Sequence, residues 1–420
     1  MAIAVFLILL IVLLALSFPI FLGILTATVG SFELFGPAIP PMALAQRAVE
    51  GVNVFSLIAV PLFIFAADII ARGEIGSRLV NLMESLVGHV TGGLAMATVI
   101  SCAFFGAISG IGAAAVVSIG PIVYPSLLRQ GYSRPFSVGL ILSASTLAML
   151  IPPGVAMILY SVQTSASVGS VFLAGLTSGI LFALALTLYV YLHARHHGIT
   201  GSEPTTWRQR WQALKRAGWA LGLPAVIFGG IYGGVFTPTE AAAAACVYAI
   251  VVEWLIYRNM GLLALFKVSR SSGVVIASLL ILIAVGGAMG WYLTLLQVPQ
   301  MIAGLLGDLP PWTVLLIINA IFLVAGMFID PNSAVIVLAP LVYPSAMAIG
   351  VDPTHLGAIL VFNLAIGMIS PPFGLNIFIG TATFRIGYLE VVRSLIPFIV
   401  LALLTLGIAT YIPASVLWLI

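Results

Sequence analysis

The sequence predicts an all-α polytopic membrane protein, an inverted structural repeat with two re-entrant helical hairpins and two helices broken by proline pairs. Three observations predict it. Charged residues are 6% of the 420-residue chain and hydrophobic residues 62%, whereas soluble domains carry about 25% charged residues. So few charges cannot cover a soluble protein of this length, and the chain must be solvated mainly by lipid. The chain also contains itself twice: PIVYPSLLRQG at 121–131 returns as PLVYPSAMAIG at 340–350, with six of eleven positions matching. The same offset aligns MLIPP at 149–153 with MISPP at 368–372, and Pro19 with Pro238. Two halves, each broken by a proline pair in apolar sequence, point to a secondary transporter made of repeats.

Backbone groups in hydrocarbon must be satisfied internally, so only helices or closed barrels span. The apolar runs are long and rich in Leu, Ile and Ala without period-2 alternation, which selects helices. They fall near 2–18, 20–36, 52–71, 90–127, 136–165, 168–192, 219–237, 241–257, 272–296, 312–344, 355–384 and 395–412. No charged side chain precedes Glu33. Without a basic n-region, Met1–Ser17 reads as a retained membrane segment and not as a signal peptide. Segments 74–88 and 204–218 read as amphipathic interfacial helices.

Lys and Arg set the orientation. The loop 193–218 holds Arg195, Arg208, Arg210, Lys215 and Arg216, and the loop 258–270 holds Arg258, Lys267 and Arg270; both belong on the cytoplasmic side. Two crossings separate them, so the assignments agree. The loop after PIVYPS contains Arg129 and Arg134, whereas its counterpart after PLVYPS contains Asp352 and no base. Arg72 and Arg78 follow segment 52–71, while the matching place near 291–309 has only Asp308. Basic loops in one half match neutral or acidic loops in the other, as an inverted repeat requires. Both termini then lie outside.

Each half has two breaks. GAISGIGAAA at 106–115 lies between arms too short to cross alone, and both ends of 89–128 fall on the cytoplasmic side, which makes it a re-entrant hairpin. Its partner, GMFIDPNSA at 326–334, turns at Asp330-Pro331-Asn332. The pairs Pro152-Pro153 and Pro371-Pro372 remove backbone donors and force unwinding. Freed carbonyls at membrane depth must line a cavity or bind something. The expected site therefore joins Ser109, Gly110, Thr146, Pro152 and Pro153 with Gly326, Asp330, Asn332, Asn363, Ser370 and Pro371. Its oxygens suit a hard cation, with Na⁺ placed near Ser109, Thr146, Asp330 and Asn363. No Lys or Arg lies in these segments, so an anion would be held by helix N-termini, hydroxyls and amides. Each hydroxyl also has a reading as a helix-packing group, Asp330 as a cap of the hairpin turn, and Asn363 as an interhelical hydrogen bonder.

Other polar residues read as structural. Cys102 and Cys246 are small buried residues. Glu240 opens an Ala-rich helix that Thr237 or Thr239 caps. Asp68 and Glu253 lie near segment ends and reach the interface. His89, His193, His196, His197 and His355 all lie near loops, and His193–His197 reads as a solvated helix end. No His, Cys or paired carboxylate cluster at membrane depth suggests an enzyme, and no chain of buried Lys, Glu and His suggests a proton pump.

At these residues the sequence resembles the large membrane subunit of tripartite ATP-independent periplasmic (TRAP) transporters. The resemblance covers essentially the whole chain. It is carried by VPLFIFAADIIARGEIGSRL (60–79), GAISG (106–110), LAMLIPPGVAMILYS (147–161), GVFTPTEAAAAA (234–245), GMFID (326–330) and GVDPTHLGAILVFNLAIGMISPPFGLNIF (350–378). It implies Na⁺-coupled uptake of a carboxylate delivered by a periplasmic binding protein, a small four-helix membrane partner subunit, a bacterial inner-membrane location and elevator-type motion. No cofactor other than Na⁺ as coupling ion, and no nucleic acid, is implied. Ile111 and Gly112 stand where the family's first hairpin tip continues with serines, which removes two hydroxyls and leaves backbone carbonyls to serve.

The expected organisation follows. Residues 89–165 and 312–384 form the moving domain. Residues 1–88, 166–311 (with the cytoplasmic linker 193–218) and 385–420 form the scaffold. The alternatives are a stand-alone Na⁺/organic anion symporter with the same hairpins, or a non-transport subunit of a membrane complex.

Overall fold

The computed structural model describes residues 1–16, 18–36 and 39–420; Ser17, inside the first expected segment, lies outside the described residues. The chain runs through α1 (Ala2–Ala15), α2 (Ile20–Phe35), α3 (Met42–Val52), α4 (Ala59–Ala71), α5 (Ile75–Val87), α6 (Gly93–Ser109), α7 (Gly112–Arg129), α8 (Arg134–Ser145), α9 (Leu147–Leu150), α10 (Val155–Thr164) and α11 (Val168–His196). It continues through α12 (Trp207–Tyr232), α13 (Pro238–Ile250), α14 (Leu262–Leu295), α15 (Val298–Leu306), α16 (Pro311–Phe328), α17 (Pro331–Ala348), α18 (Pro353–Gly367), α19 (Leu375–Phe384), α20 (Tyr388–Tyr411) and α21 (Ala414–Leu417). There is no strand among the described residues. Eight spans are long and apolar enough to cross a membrane, or nine with α3 and Phe55–Ala71, which meet at a 62° bend. The chain is thus an all-helical, multi-pass membrane protein.

Local chemistry fixes many starts. Ser133, Ser167, Asp330 and Asp352 cap α8, α11, α17 and α18 by accepting backbone N–H groups. Thr206 with Gln209, and Thr237 with Glu240, form capping boxes on α12 and α13. The expected cap by Thr237 is therefore observed.

Helix boundaries recur along the chain. Helices α7 and α17 begin and end at the spacing of the sequence repeat (112 to 331, 129 to 348), and each is followed by a glycine of positive φ, Gly131 at 92° and Gly350 at 77°. Packing is crossed between the halves: α10 lies on α17 and α19 on α7; α11 lies on α18 and α20 on α8; α4 lies on α13 and α14 on α2. The span 134–164 sits at the centre, with its most apolar stretch fully buried.

Three sequence expectations need correction. The stretch 204–218 is no separate interfacial helix; from Trp207 it is the first half of α12, because the Thr206 capping box starts a helix that runs unbroken to Tyr232. Helix α3 is not among the expected segments; its Arg47–Glu50 ion pair lies on its exposed face, and Leu44 is its buried contact. Glu253 does not reach the interface. It is fully buried on a π-helical stretch, Val251–Ile256, and accepts the N–H groups of Glu74 and Ile75 that open α5. His355 lies near a loop as expected, in the first turn of α18, and is buried with Nε2 at 2.7 Å from the Ala409 carbonyl oxygen.

Candidate functional site

Helices α6 and α7 form a hairpin whose two ends meet. The Ser202 N–H donates to the Gly88 carbonyl at 2.9 Å, and Gln130 Nε2 donates to Ser202 Oγ at 2.7 Å, so both ends rest on one loop. Helices α16 and α17 do the same: Pro311, Trp312, Ile349 and Gly350 line one outer cavity with Tyr411, whose hydroxyl donates to the Trp312 carbonyl.

The tips of both hairpins and both proline breaks converge on one cavity of about 150 Å³. The first tip contributes Gly110, Ile111 and Gly112; the second contributes Asp330, Pro331 and Asn332. Gly154 and Val155 enter from the first break, Met368 and Leu375 from the second. Helices unwind at Ile151–Gly154 and at 368–374, where the Pro152-Pro153 and Pro371-Pro372 peptide bonds are both cis. Four helix N-termini, those of α7, α10, α17 and α19, thereby face the cavity together with the C-terminal ends of α6 and α18. Helix N-termini favour a negative group and helix C-termini a cation; at α17 the Asp330 carboxylate already caps the N-terminus by accepting the Ser333 N–H.

Close backbone approach holds the first tip in place. Gly110 is left-handed at φ 62°, and a Cβ there would overlap the Pro153 carbonyl oxygen. A Cβ on Gly112 would stand 3.2 Å from the Ser145 carbonyl and 3.7 Å from the Met368 sulfur. The tip therefore touches both breaks, and only glycine fits at Gly110.

Asp330 lines this cavity and a neighbouring one of about 390 Å³ that opens beside Pro19 and Phe21. Its carboxylate is exposed, accepts the Ser333 N–H at 3.1 Å and the Ser333 hydroxyl, and has no ion pair among the described residues. Among the described residues it is the one charged group lining either cavity. Asn332 lines both cavities beside it.

The other expected residues divide. Ser109 is buried at the tip, its Oγ accepting the Ile111 N–H at 3.4 Å. Thr146 is buried and donates to the Ser143 carbonyl at 2.7 Å; Ser370 is buried and donates to the Ile366 carbonyl at 2.8 Å. Both keep lone pairs free but do not line the cavity. Gly326 lies in a helix crossing against Gly367, where the Cα atoms leave no room for side chains. Asn363 sits away from the cavity and donates to Asn319 Oδ1, while Asn319 Nδ2 donates to Thr410 at 3.1 Å. This is an interhelical hydrogen bond, and Asn363 Oδ1 is buried without a partner among the described residues.

Sequence reading missed Ile64, Val275 and Leu279, which bring α4 and α14 to the cavity wall. They are ordinary apolar residues in apolar helices, with no signal to find them by. It also missed Asn376, whose Nδ2 donates to Ser145 Oγ at 3.0 Å and ties α19 to α8. An amide inside the NIF stretch of an apolar helix was the available signal.

The chain matches the family model described as "Tripartite ATP-independent periplasmic transporter, DctM component" over residues 7–415. It is 41% identical to the ectoine/5-hydroxyectoine TRAP transporter large permease protein UehC of Ruegeria pomeroyi, covering 94% of this chain and 92% of that one. It is 38% identical to the C4-dicarboxylate TRAP transporter large permease protein DctM of Pseudomonas aeruginosa, covering 89% and 88%. Among solved structures, the YdaH transporter of Alcanivorax borkumensis shares the fold at a TM-score of 0.61 and 16% identity, over 90% of this chain and 87% of that one.

Proposed function

The chain belongs to the DctM component family of tripartite ATP-independent periplasmic transporters, and from that premise we propose that it is the large permease subunit of a Na⁺-coupled uptake system for an organic acid. A periplasmic binding protein delivers the cargo, and a small four-helix membrane subunit packs on the scaffold in the bacterial inner membrane. Relatives named for ectoine and for C4-dicarboxylates support a cargo drawn from small carboxylate-bearing solutes.

The observation that carries this reading is the meeting of two hairpin tips and two proline breaks at one small cavity. Interrupted helices at membrane depth are tolerated where they line a binding cavity. The ring of helix N-termini offers N–H groups to a carboxylate without a buried Arg or Lys. Asp330 and the C-terminal carbonyls of α6 and α18 offer oxygen to Na⁺. The matched boundaries of α7 and α17 and the crossed packing support an inverted repeat, in which α6–α7 and α16–α17 are re-entrant hairpins entering from opposite sides. In this reading 89–165 and 312–384 move together against the rest as an elevator.

The test is uptake into proteoliposomes holding this chain with its small subunit, with labelled ectoine and a labelled C4-dicarboxylate offered on the appropriate binding protein. Expected is accumulation that needs the binding protein and an inward Na⁺ gradient. Equal accumulation without a binding protein would establish the stand-alone symporter instead. Accumulation driven by a proton gradient in Na⁺-free buffer would remove Na⁺ from the mechanism.

A further inference from the structure

Away from the central cavity, α5 and the first half of α12 face each other across a polar groove of about 630 Å³. Glu74, Arg78 and Asn81 line one wall, spaced as one face of α5; Gln209, Gln212 and Arg216 line the other, spaced as one face of α12. We propose that this groove binds the phosphodiester headgroup of an anionic phospholipid in the cytoplasmic leaflet.

The charges within the groove are not all used internally. Arg78 bonds Glu74 through Nε at 3.0 Å, stacks its guanidinium 3.8 Å from the Tyr257 ring centroid, and donates to the Arg216 carbonyl at 3.2 Å. Tyr257 donates to the same carbonyl at 3.2 Å. The Arg216 backbone is thus held from two directions while its guanidinium bonds no group among the described residues. Neither do the amides of Asn81 and Gln212. Glu74 and Arg78 cancel, so Arg216 leaves the groove with one net positive charge. A fork of guanidinium donors flanked by two amides suits a phosphate oxygen pair.

The depth of the groove points to lipid as the source of that phosphate. Trp207, Trp211 and Trp219 are exposed along the same stretch of α12. Exposed tryptophans at the end of a crossing mark headgroup level. Beyond Gly218 the same helix turns apolar through Trp219–Tyr232, so a headgroup seated against Arg216 has apolar side chains beside its acyl chains. The bases of 193–218 and 258–270 favour the cytoplasmic side for this end, where anionic lipid attracts juxtamembrane bases. A lipid seated there would tie α5, which packs on the hairpin helix α6, to α12 of the scaffold.

The test is thermal melting of the purified full chain in a neutral detergent, titrated with short-chain phosphatidylglycerol, phosphatidylcholine or inorganic phosphate. Phosphatidylglycerol should raise the midpoint and phosphatidylcholine should not. Arg216→Gln should weaken the phosphatidylglycerol effect about tenfold, as loss of a charge-assisted hydrogen bond requires. Lys215→Gln, whose ammonium lies over the Trp211 ring outside the groove, should leave it unchanged. Should Arg216→Gln not fold, the paired change Asn81→Leu with Gln212→Leu decides by the same loss. Equal response to both lipids, a full response to inorganic phosphate alone, an undiminished response in the groove variants, or an equal loss in Lys215→Gln would each overturn the assignment.

Discussion

At the first hairpin tip the chain turns through Gly110 and Ile111; at the second it turns through Ile329 and Asp330. The two places correspond under the sequence repeat and face the same cavity. Gly110 is left-handed at φ 62° and Ile111 extended at φ −128°, whereas Ile329 and Asp330 are both extended, at φ −123° and −64°. The first tip gets its shape from backbone pressed on backbone. The second gets its shape from a carboxylate capping the helix that follows. The comparison teaches that matching places in the sequence repeat reach one cavity by different means: the first tip by close backbone packing, the second by a capped helix start that brings the charge.

The largest expected effect breaks the first tip. Gly110→Ala places a methyl group onto the Pro153 carbonyl at a backbone angle that L-residues rarely adopt. The cost should be roughly 3 kcal/mol or more, read as loss of folded protein in a melting assay and loss of uptake. Ile329→Ala, at the matching place, asks for no special angle and should cost only about 1 kcal/mol. Equal losses in the two variants would show that the tips are not built differently.

Next comes the charge at the second tip. Asn also caps helices well, so Asp330→Asn should melt close to the parent yet lose Na⁺-dependent uptake. Asp330→Ala should lose uptake and about 1 kcal/mol of stability as well. Wild-type uptake in Asp330→Asn would remove the carboxylate from the coupling site and leave it a cap only.

A third, smaller effect concerns the crossings behind the tips. In the first half Gly106 packs on Ala148, and in the second Gly326 packs on Gly367. A Cβ on Gly106 would stand 2.5 Å from the Ala148 Cα, and one on Gly326 3.1 Å from the Gly367 Cα. Gly106→Ala should therefore destabilise by roughly 2 kcal/mol, as overpacking does, and Gly326→Ala by about 1 kcal/mol. A reversed order in melting would mean that the second crossing is the tighter one.

Much of this frame was legible in the sequence because duplication is visible as text. The offset between the PIVYPS and PLVYPS stretches is the offset between α7 and α17. Asp330 stood out as an acid in an apolar run, and it lies at the cavity. Gly326 stood beside it in the same motif but serves packing, since the sequence shows that a glycine is present and not which backbone approaches it. Asn363 looked equally able to bind an ion or a helix, and its amide N–H pairs with Asn319 of a different helix, α16, a contact that no spacing along the sequence announces. Glu253 was misplaced because its partners are backbone N–H groups of Glu74 and Ile75, which no side-chain pattern announces. Helix α12 was cut short because its charged first half looks like a linker until the Thr206 capping box is seen to start the helix there.

The smallest effect tests the outermost pair. Helices α2 and α13 start at matching places, beside Pro19 and Pro238, but their N-termini differ. Among the described residues no side chain caps α2, whereas Thr237 accepts the Glu240 N–H at 3.3 Å and the Thr237 N–H donates to the Glu240 carboxylate at 2.8 Å. Thr237→Ala makes the start of α13 resemble that of α2. It should cost about 1 kcal/mol, the usual worth of a side-chain cap, and Thr237→Ser should recover most of it. Uptake per folded molecule should stay at the parental level in both, because neither residue of the box lines the cavity. A melting midpoint unmoved by Thr237→Ala would mean that packing on α4, and not the cap, holds this end of α13, leaving the two N-termini alike in energy despite their different chemistry.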